Sequence, residues 1–325
     1  MGTYREELLM QANLKIQRYD PEVGEEPRYD SHQLDLPEYA TVLDALLQIR
    51  DDVDGSLAMR ASCRSAICGS CSMRINGEAR LACKTLIANI VQVEGAEVTI
   101  EPMGNMPVVK DLVVDMSMFW DKVQKIQPGL LPKTPEPERE FIVSNDSMLD
   151  LATALNCIMC GACVSDCTVL EVDKEFIGPA ALAKAYRFSN DPRDNATDLR
   201  LDLYSQENYI WSCTRCFQCV QVCPKDVAPM EKIMSLRKQT IEAGHTNNPG
   251  TRHTQAFADS IRKTGRLDEI RLTVKAFGIT NITAMIQLIP IGWRAFRHKK
   301  MPHLLPKSIS SIKNVRRIMD KLGNE

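Results

Sequence analysis

Hydrophobic and polar positions change rhythm along this chain, and the rhythm predicts its elements. Near the N-terminus the spacing is that of strands: Asn13–Tyr19, with Leu14, Ile16 and Arg18 on one side, and Arg28–Leu36, joined by a turn punctuated by Pro21 and Gly24. Helical spacing follows in Val42, Leu43, Leu46, Leu47 and Ile49, with Thr41 placed to cap the first turn. Ser72–Asn76 reads as a strand entering a tight turn at Gly77-Glu78, and Glu97–Glu101 as another short strand. The first part is therefore mixed α/β.

Pro128, Gly129, Pro132, Pro135 and Pro137 then interrupt all periodicity, and that stretch reads as an extended linker. Beyond it the pattern is helical: Ser147–Asn156, Pro179–Ser189 with proline in the first turn, Met230–Ala243 ending at Gly244, and Ser308–Leu322. The last carries Ile309, Ile312, Val315, Met319 and Leu322 on one side, and Lys313, Arg316, Arg317 and Lys321 on the other. The expected class is α+β. Residues 1–125 form a first domain, 126–145 a proline-rich linker, 146–245 a helical domain and 246–325 a basic helical extension.

Composition excludes a few classes. The 325 residues are 44% hydrophobic and 25% charged, which is ordinary for globular proteins and unlike disordered or collagen-like chains. The formal charge of −2 hides an asymmetry. Residues 251–325 hold 15 Lys and Arg against 5 Asp and Glu, and the preceding 250 hold 25 against 37. A tail this basic calls for an anionic surface, either nucleic acid, lipid headgroups or an acidic protein face, unless it is simply a solvated helical face. The most apolar stretch, Gly278–Trp293, is short and interrupted by Thr280, Asn281, Thr283 and Gln287, so no membrane span is expected. Met1–Glu7 lacks the apolar core of a secretory signal, which points to a reducing, cytoplasmic compartment.

Twelve cysteines carry the chemistry, and they fall into three groups. Cys63-x4-Cys68-x2-Cys71, with Cys83 returning after an eleven-residue gap, is the plant-type ferredoxin spacing that holds a [2Fe–2S] cluster on four thiolates. Ser65, Ala66, Gly69 and Ser70 are small enough to let backbone N–H groups approach cluster sulfurs. A zinc site usually presents paired C-x2-C knuckles, and only one such pair occurs in this group.

The second and third groups share one spacing: Cys157-x2-Cys160-x2-Cys163-x3-Cys167 and Cys213-x2-Cys216-x2-Cys219-x3-Cys223. It is the bacterial ferredoxin run, in which the fourth cysteine ligates the other cluster. One [4Fe–4S] cluster is then expected on Cys157, Cys160, Cys163 and Cys223, and a second on Cys167, Cys213, Cys216 and Cys219. Pro224 completes a Cys-Pro ending, whereas Cys167 is followed by Thr168.

No other constellation competes. His32, His245, His253, His298 and His303 are not at ligand spacing to one another, and there is neither a P-loop nor a G-x-G-x-x-G. Clusters without substrate-activating groups imply an electron wire, with chemistry at substrate left to another subunit.

These residues resemble the iron–sulfur subunit of succinate dehydrogenase and fumarate reductase. The resemblance rests on Cys63-Arg-Ser-Ala-Ile-Cys-Gly-Ser-Cys, Asn76-Gly, Leu81-Ala-Cys-Lys-Thr, Val109-Lys-Asp-Leu-Val-Val-Asp, Phe176-Ile-Gly-Pro-Ala-Ala-Leu, Ala185-Tyr-Arg-Phe and Val222-Cys-Pro-Lys. It covers roughly residues 10–240. It implies an N-terminal β-grasp plant-type ferredoxin domain and a helical bacterial-ferredoxin-like domain. It also implies a partner flavoprotein that carries the FAD, none being expected on this chain, and a route for electrons to or from a quinone in the respiratory chain and tricarboxylic acid cycle.

Three departures shift the expectation within that family. Cys216 stands where most members lack cysteine and hold [3Fe–4S], so a [4Fe–4S] cluster is expected there instead. Thr168-Val-Leu-Glu-Val lacks the family's quinone-site tryptophans, and Thr214 replaces its histidine. The basic extension and Asn247-Asn-Pro-Gly look more like the small iron–sulfur subunit of heterodisulfide reductases. Together they resemble variant complexes whose partner is a heterodisulfide-reductase-like, membrane-associated subunit. The expected location is the inner face of the cell membrane, held peripherally through partners, with an anionic surface meeting the basic tail and no nucleic acid bound. An acceptor of the thiol or disulfide type is the alternative to a quinone. A zinc-stabilised interaction module is the alternative of a different class.

Overall fold

The computed structural model describes residues 9–24, 26–91, 96–278, 281–302 and 306–322. The N-terminal heptapeptide, Thr280 and His303 lie outside them. Two compact units divide at Lys238/Gln239.

In the first unit, β1 (Leu9–Arg18) and β2 (Arg28–Pro37) form an antiparallel pair in register from Leu9↔Pro37 to Arg18↔Arg28. Their connection turns through a short 3-10 segment capped by Asp20, with Gly24 left-handed at φ 69°. Ala12, Leu14 and Ile16 alternate into the core from β1, and Leu34 and Leu36 from β2. Helix α1 (Val42–Gln48) starts at a reciprocal cap: the Asp44 N–H donates to Thr41 Oγ1 and the Thr41 N–H donates to Asp44 Oδ2. Its Val42, Leu43, Leu46 and Leu47 pack with the inward residues of the strands.

The hairpin of β3 (Ser72–Ile75) and β4 (Glu78–Leu81) turns on Asn76-Gly77, both left-handed at φ 50° and 80°. That conformation matches the twist of the flanking strands. A short helix α2 (Ile87–Ile90) precedes β5 (Glu97–Glu101), which runs parallel to β1 and antiparallel to β3. The five-stranded order is β2-β1-β5-β3-β4. A small pair, β6 (Val108–Lys110) and β7 (Val113–Val114), and helix α3 (Ser117–Lys125) follow.

The proline-rich stretch is less free than its composition implies. The Leu131 N–H donates to Asp194, Lys133 N–H donates to the Arg193 carbonyl, and Asn195 N–H donates to the Leu131 carbonyl. Buried Arg200 reaches back to the carbonyls of Gln127 and Gly129 while paired with buried Asp194 at 3.0 Å. The remainder of the unit is helical: α4 (Asn145–Leu155, capped by Ser144), α5 (Ala162–Ser165), α6 (Thr168–Val172), α7 (Pro179–Ser189), α8 (Thr197–Tyr204), α9 (Gln218–Gln221) and most of α10 (Pro229–Glu242), within which the division falls. Leu151, Leu170, Phe176, Leu182, Tyr204, Ile233 and Leu236 anchor its core. An N-terminal sheet region and a C-terminal helical region agree with the α+β expectation.

The second unit holds α11 (Pro249–Thr264), α12 (Glu269–Phe277), α13 (Ile282–Arg297) and α14 (Ile312–Leu322). The last helix starts at Ile312 rather than Ser308, because the Ile309 N–H donates instead to the Thr264 carbonyl. Among the described residues no helix is long and apolar enough to cross a membrane.

Candidate iron–sulfur sites

The first cysteine loop lies between α1 and β3 and wraps its own thiols. Backbone N–H groups of Ser65, Ile67 and Cys68 donate to Cys63 Sγ at 3.3–3.4 Å. The Ala66 N–H reaches Cys83 Sγ at 3.3 Å, bringing the fourth thiol to the loop. Left-handed Arg64, Ala66 and Gly69 (φ 55°, 54° and 74°) turn these N–H groups inward. Successive N–H groups aimed at one point make a partial positive charge, which suits a cluster of anionic sulfur. A hydrogen bond from the Ser70 side chain, with others from the loop, holds the Cys68 thiol down to about 6. Burial instead pushes the Cys71 thiol up to about 12.

The two identical spacings prove to be one backbone shape used twice. Met159 and Arg215 are left-handed at φ 55° and 62°, each just before the second cysteine of its run. Gly161 (φ 83°, ψ −6°) and Phe217 (φ 68°, ψ −6°), each just after it, start the short helices α5 and α9. Phenylalanine therefore occupies in one copy a conformation that glycine takes easily in the other.

Each copy supplies three thiols to one cavity and the fourth to its neighbour. One cavity is walled by Cys157, Cys160, Cys163 and Cys223. Another is walled by Cys167, Cys213, Cys216 and Cys219. Among the described residues no three His, Cys, Asp or Glu side chains converge as they would on a single ion. The thiols stand around a space instead, in apolar surroundings that fit a cubane. Burial raises the thiols of Cys160, Cys163, Cys167 and Cys219. Ligation requires thiolates, and the positive charge of iron offsets that burial cost. A cluster held here supplies one-electron transfer and no proton chemistry.

Cys216 is the exception among these thiols. Burial works to raise it, but a hydrogen bond from Thr168 Oγ1 at 3.4 Å and backbone donors outweigh that and hold it below its usual value. Cys213 is fixed differently. Buried Arg237 donates to the carbonyls of Ile210 and Cys213 and lies over the Trp211 ring at 5.1 Å.

The sheet and helical regions meet at these sites. Gly69, in the first loop, faces Cys160 so closely that a Cβ there would stand 2.7 Å from Cys160 Cβ. Asn105 Nδ2 donates to the carbonyls of Val164, Ser165 and Cys167 at 2.9–3.0 Å. The Ala79 N–H donates to Asp166, and Lys84 Nζ donates to the Pro224 carbonyl. Thr168 was visible in the sequence as a departure from Cys-Pro and from the family's tryptophan-bearing stretch, with no sign of its bond to Cys216, and nothing there marked Asn105 or Arg237. Among the described residues no histidine lines either thiol cavity: His32 belongs to β2 and His253 to α11.

Fold and thiol geometry define an iron–sulfur electron-transfer protein. Residues 13–121 match the model of a 2Fe-2S iron-sulfur cluster binding domain, and residues 153–227 that of a 4Fe-4S dicluster domain. The fumarate reductase iron-sulfur subunit of Haemophilus influenzae is 37% identical over 233 residues, covering 68% of this chain and 90% of the relative. The succinate dehydrogenase iron-sulfur subunit of Paracoccus denitrificans is 38% identical over 229 residues, covering 70% and 87%. The 8-methylmenaquinol:fumarate reductase iron-sulfur subunit of Wolinella succinogenes is 34% identical over 272 residues, covering 82% and 85%. The chain belongs to the family of succinate dehydrogenase and fumarate reductase iron–sulfur subunits. A chain of the Mycobacterium smegmatis Sdh1 complex shares the fold, with TM-score 0.68 at 24% identity over 74% of this chain and 99% of that one.

Proposed function

We propose that this chain is the electron-transfer subunit of a succinate dehydrogenase or fumarate reductase, relaying electrons between the FAD of a flavoprotein subunit and a quinone. The chain carries iron–sulfur clusters and no substrate site of its own. The single observation that carries this reading is the meeting of the first cysteine loop with the second at Gly69 and Cys160. It sets one redox centre against the next.

The ligand sets follow the grouping of thiols. Cys63, Cys68, Cys71 and Cys83 hold [2Fe–2S]. Cys157, Cys160, Cys163 and Cys223 hold one [4Fe–4S], and Cys167, Cys213, Cys216 and Cys219 hold a second in place of [3Fe–4S]. The sheet domain is a β-grasp ferredoxin and the helical domain a bacterial-ferredoxin-like pair of sites, followed by the basic extension. The complex works peripherally on the inner face of the membrane, through a heterodisulfide-reductase-like partner. Support for that variant comes from the chain's own departures: Cys216 in the third group, Thr214 beside Cys213, and the basic extension with Asn247-Asn-Pro-Gly.

The test is reduction by substrate. Coexpressed with its flavoprotein partner, the chain's visible absorbance should bleach on addition of succinate, and the reduced clusters should reoxidise with fumarate. The isolated chain should do neither. Bleaching by succinate in the isolated chain, or none in the complex, overturns the reading.

A further inference from the structure

In the second unit α13 and α14 both carry an apolar stripe beside basic residues, and they differ in how far that stripe is covered. On α14, Ile312, Val315 and Met319 are half-buried. Arg316 donates to the carbonyls of Arg262 and Lys263 at the end of α11, and Asp320 pairs with Arg262 at 2.5 Å. A Cβ on left-handed Gly265, at the end of α11, would stand 2.5 Å from Ile309 Cδ1, so the approach to α14 is tightly seated. That helix has spent its apolar face inside the unit.

On α13 the opposite holds. Ile282, Ile286, Ile289, Trp293 and Phe296 recur at alternating spacings of four and three, which places them on one face, and each is 60 to 72% exposed. The stripe runs about 21 Å at 1.5 Å rise per residue. A continuous apolar surface of this kind marks an interaction site. The Trp293 and Phe296 rings stack at 6.1 Å near its C-terminal end. Directly beside them stand exposed Arg294, Arg297, His298, Lys299 and Lys300.

Charge decides the occupant. From Arg271 to Met319 the sequence contains no Asp or Glu and ten Lys and Arg. A helical protein partner seated on such a seam is usually matched by flanking charges of both signs. A one-signed flank beside an apolar stripe with aromatic residues matches an anionic bilayer surface. The helix is too short and interrupted to span. We infer that α13 lies in the plane of an anionic membrane, its Ile282–Phe296 stripe among the acyl chains and its C-terminal basic cluster among the headgroups. This deepens the reading of a membrane-associated complex and rests on it. It gives this chain its own lipid contact, in addition to attachment through partners.

Sedimentation of the cluster-loaded full chain with vesicles tests it. The chain should sediment with vesicles of phosphatidylcholine and phosphatidylglycerol in equal amounts and stay in solution with phosphatidylcholine alone. The double substitution Ile286→Glu and Ile289→Glu should weaken binding about tenfold or more, with helix content by circular dichroism unchanged because both sites are solvent-facing. Lys299→Glu with Lys300→Glu should weaken it and flatten its salt dependence. Equal binding to neutral vesicles, or full binding by the isoleucine variants, overturns the inference. So does a lipid-free dimer that those variants abolish, since the stripe would then seat a second copy. Iron content is read on the same samples, so that loss of clusters, which would count against the electron-transfer role, is distinguished from loss of lipid binding.

Discussion

Gly69 is held against Cys160 with no room for a side chain: a methyl on Gly69 would stand 2.7 Å from Cys160 Cβ and 2.9 Å from its Cα. The glycine is also left-handed at φ 74°. Two demands therefore meet at one residue, and they can be separated. Gly24 has nearly the same conformation (φ 69°) with nothing within 4 Å of its added Cβ. Gly24→Ala should cost about 1 kcal/mol, the strain alone, whereas Gly69→Ala should cost about 2–4 kcal/mol because backbone must also move. Thermal unfolding of both variants reads the difference. In the complex, Gly69→Ala should also slow electron passage from the first cluster to the second, seen by rapid-freeze spectroscopy.

Cys216 is the twelfth ligand in this account. Cys216→Ser should convert the third site to a three-iron cluster, visible as a new signal in the oxidised protein by electron paramagnetic resonance. The signals of the other two sites should be unchanged. A variant spectrum identical to the wild type would remove Cys216 from the ligand set.

Thr168 Oγ1 donates to that same sulfur. Reduction adds negative charge to a cluster, and a donor to a ligating sulfur favours the reduced form. Thr168→Val should therefore lower the potential of the third site. One net hydrogen bond of about 0.5–1.5 kcal/mol corresponds to about 20–60 mV for a one-electron couple. A redox titration measures it, with Thr168→Ser expected to restore the wild-type value.

The buried pair of Asp194 and Arg200 fastens the proline-rich stretch to the helical region. Burial works to raise the Asp194 carboxyl, but Arg200 and the N–H groups of Leu131 and Ala196 outweigh it and hold it below its ordinary value. A depressed carboxylate stabilises the fold above its unfolded pKa near 4, and that contribution is lost as pH falls through the folded value. Asp194→Asn should cost about 3–5 kcal/mol at pH 7, since Arg200 is left buried and unpaired. The gap between variant and wild type in urea unfolding should narrow below about pH 4.

Much of this was legible along the chain. The Glu97–Glu101 strand and the Pro179–Ser189 helix coincide with their expected limits, because alternation and an N-terminal proline are local signals. The β1 strand begins at Leu9, before the expected Asn13, because Leu9–Ala12 pair with Leu34–Pro37, a partner that lies outside any local pattern. The same reason hid the fastening of the linker: its prolines describe an extended chain, while Asp194 and Arg200 lie more than sixty residues away. Cysteine spacing named the groups, because a loop that wraps a cluster needs short, fixed gaps. It did not reveal Thr168 beside Cys216, which depends on two segments 48 residues apart coming together. The stretch Gly278–Trp293, weighed along the chain only as a membrane span, holds most of α13, whose Ile282–Phe296 stripe stands open. The expected basic helix α14 has its apolar side half-buried instead, a difference that rests on tertiary packing.

Metal content and electron paramagnetic resonance of the chain, purified without oxygen, test the central claim most directly. The account predicts about ten irons and about ten acid-labile sulfides per chain. It also predicts no signal when oxidised, and on stepwise reduction one [2Fe–2S] and two [4Fe–4S] signals. A three-iron signal in the undamaged oxidised protein would contradict the four-iron third site. Zinc in place of iron would contradict the electron-transfer role itself.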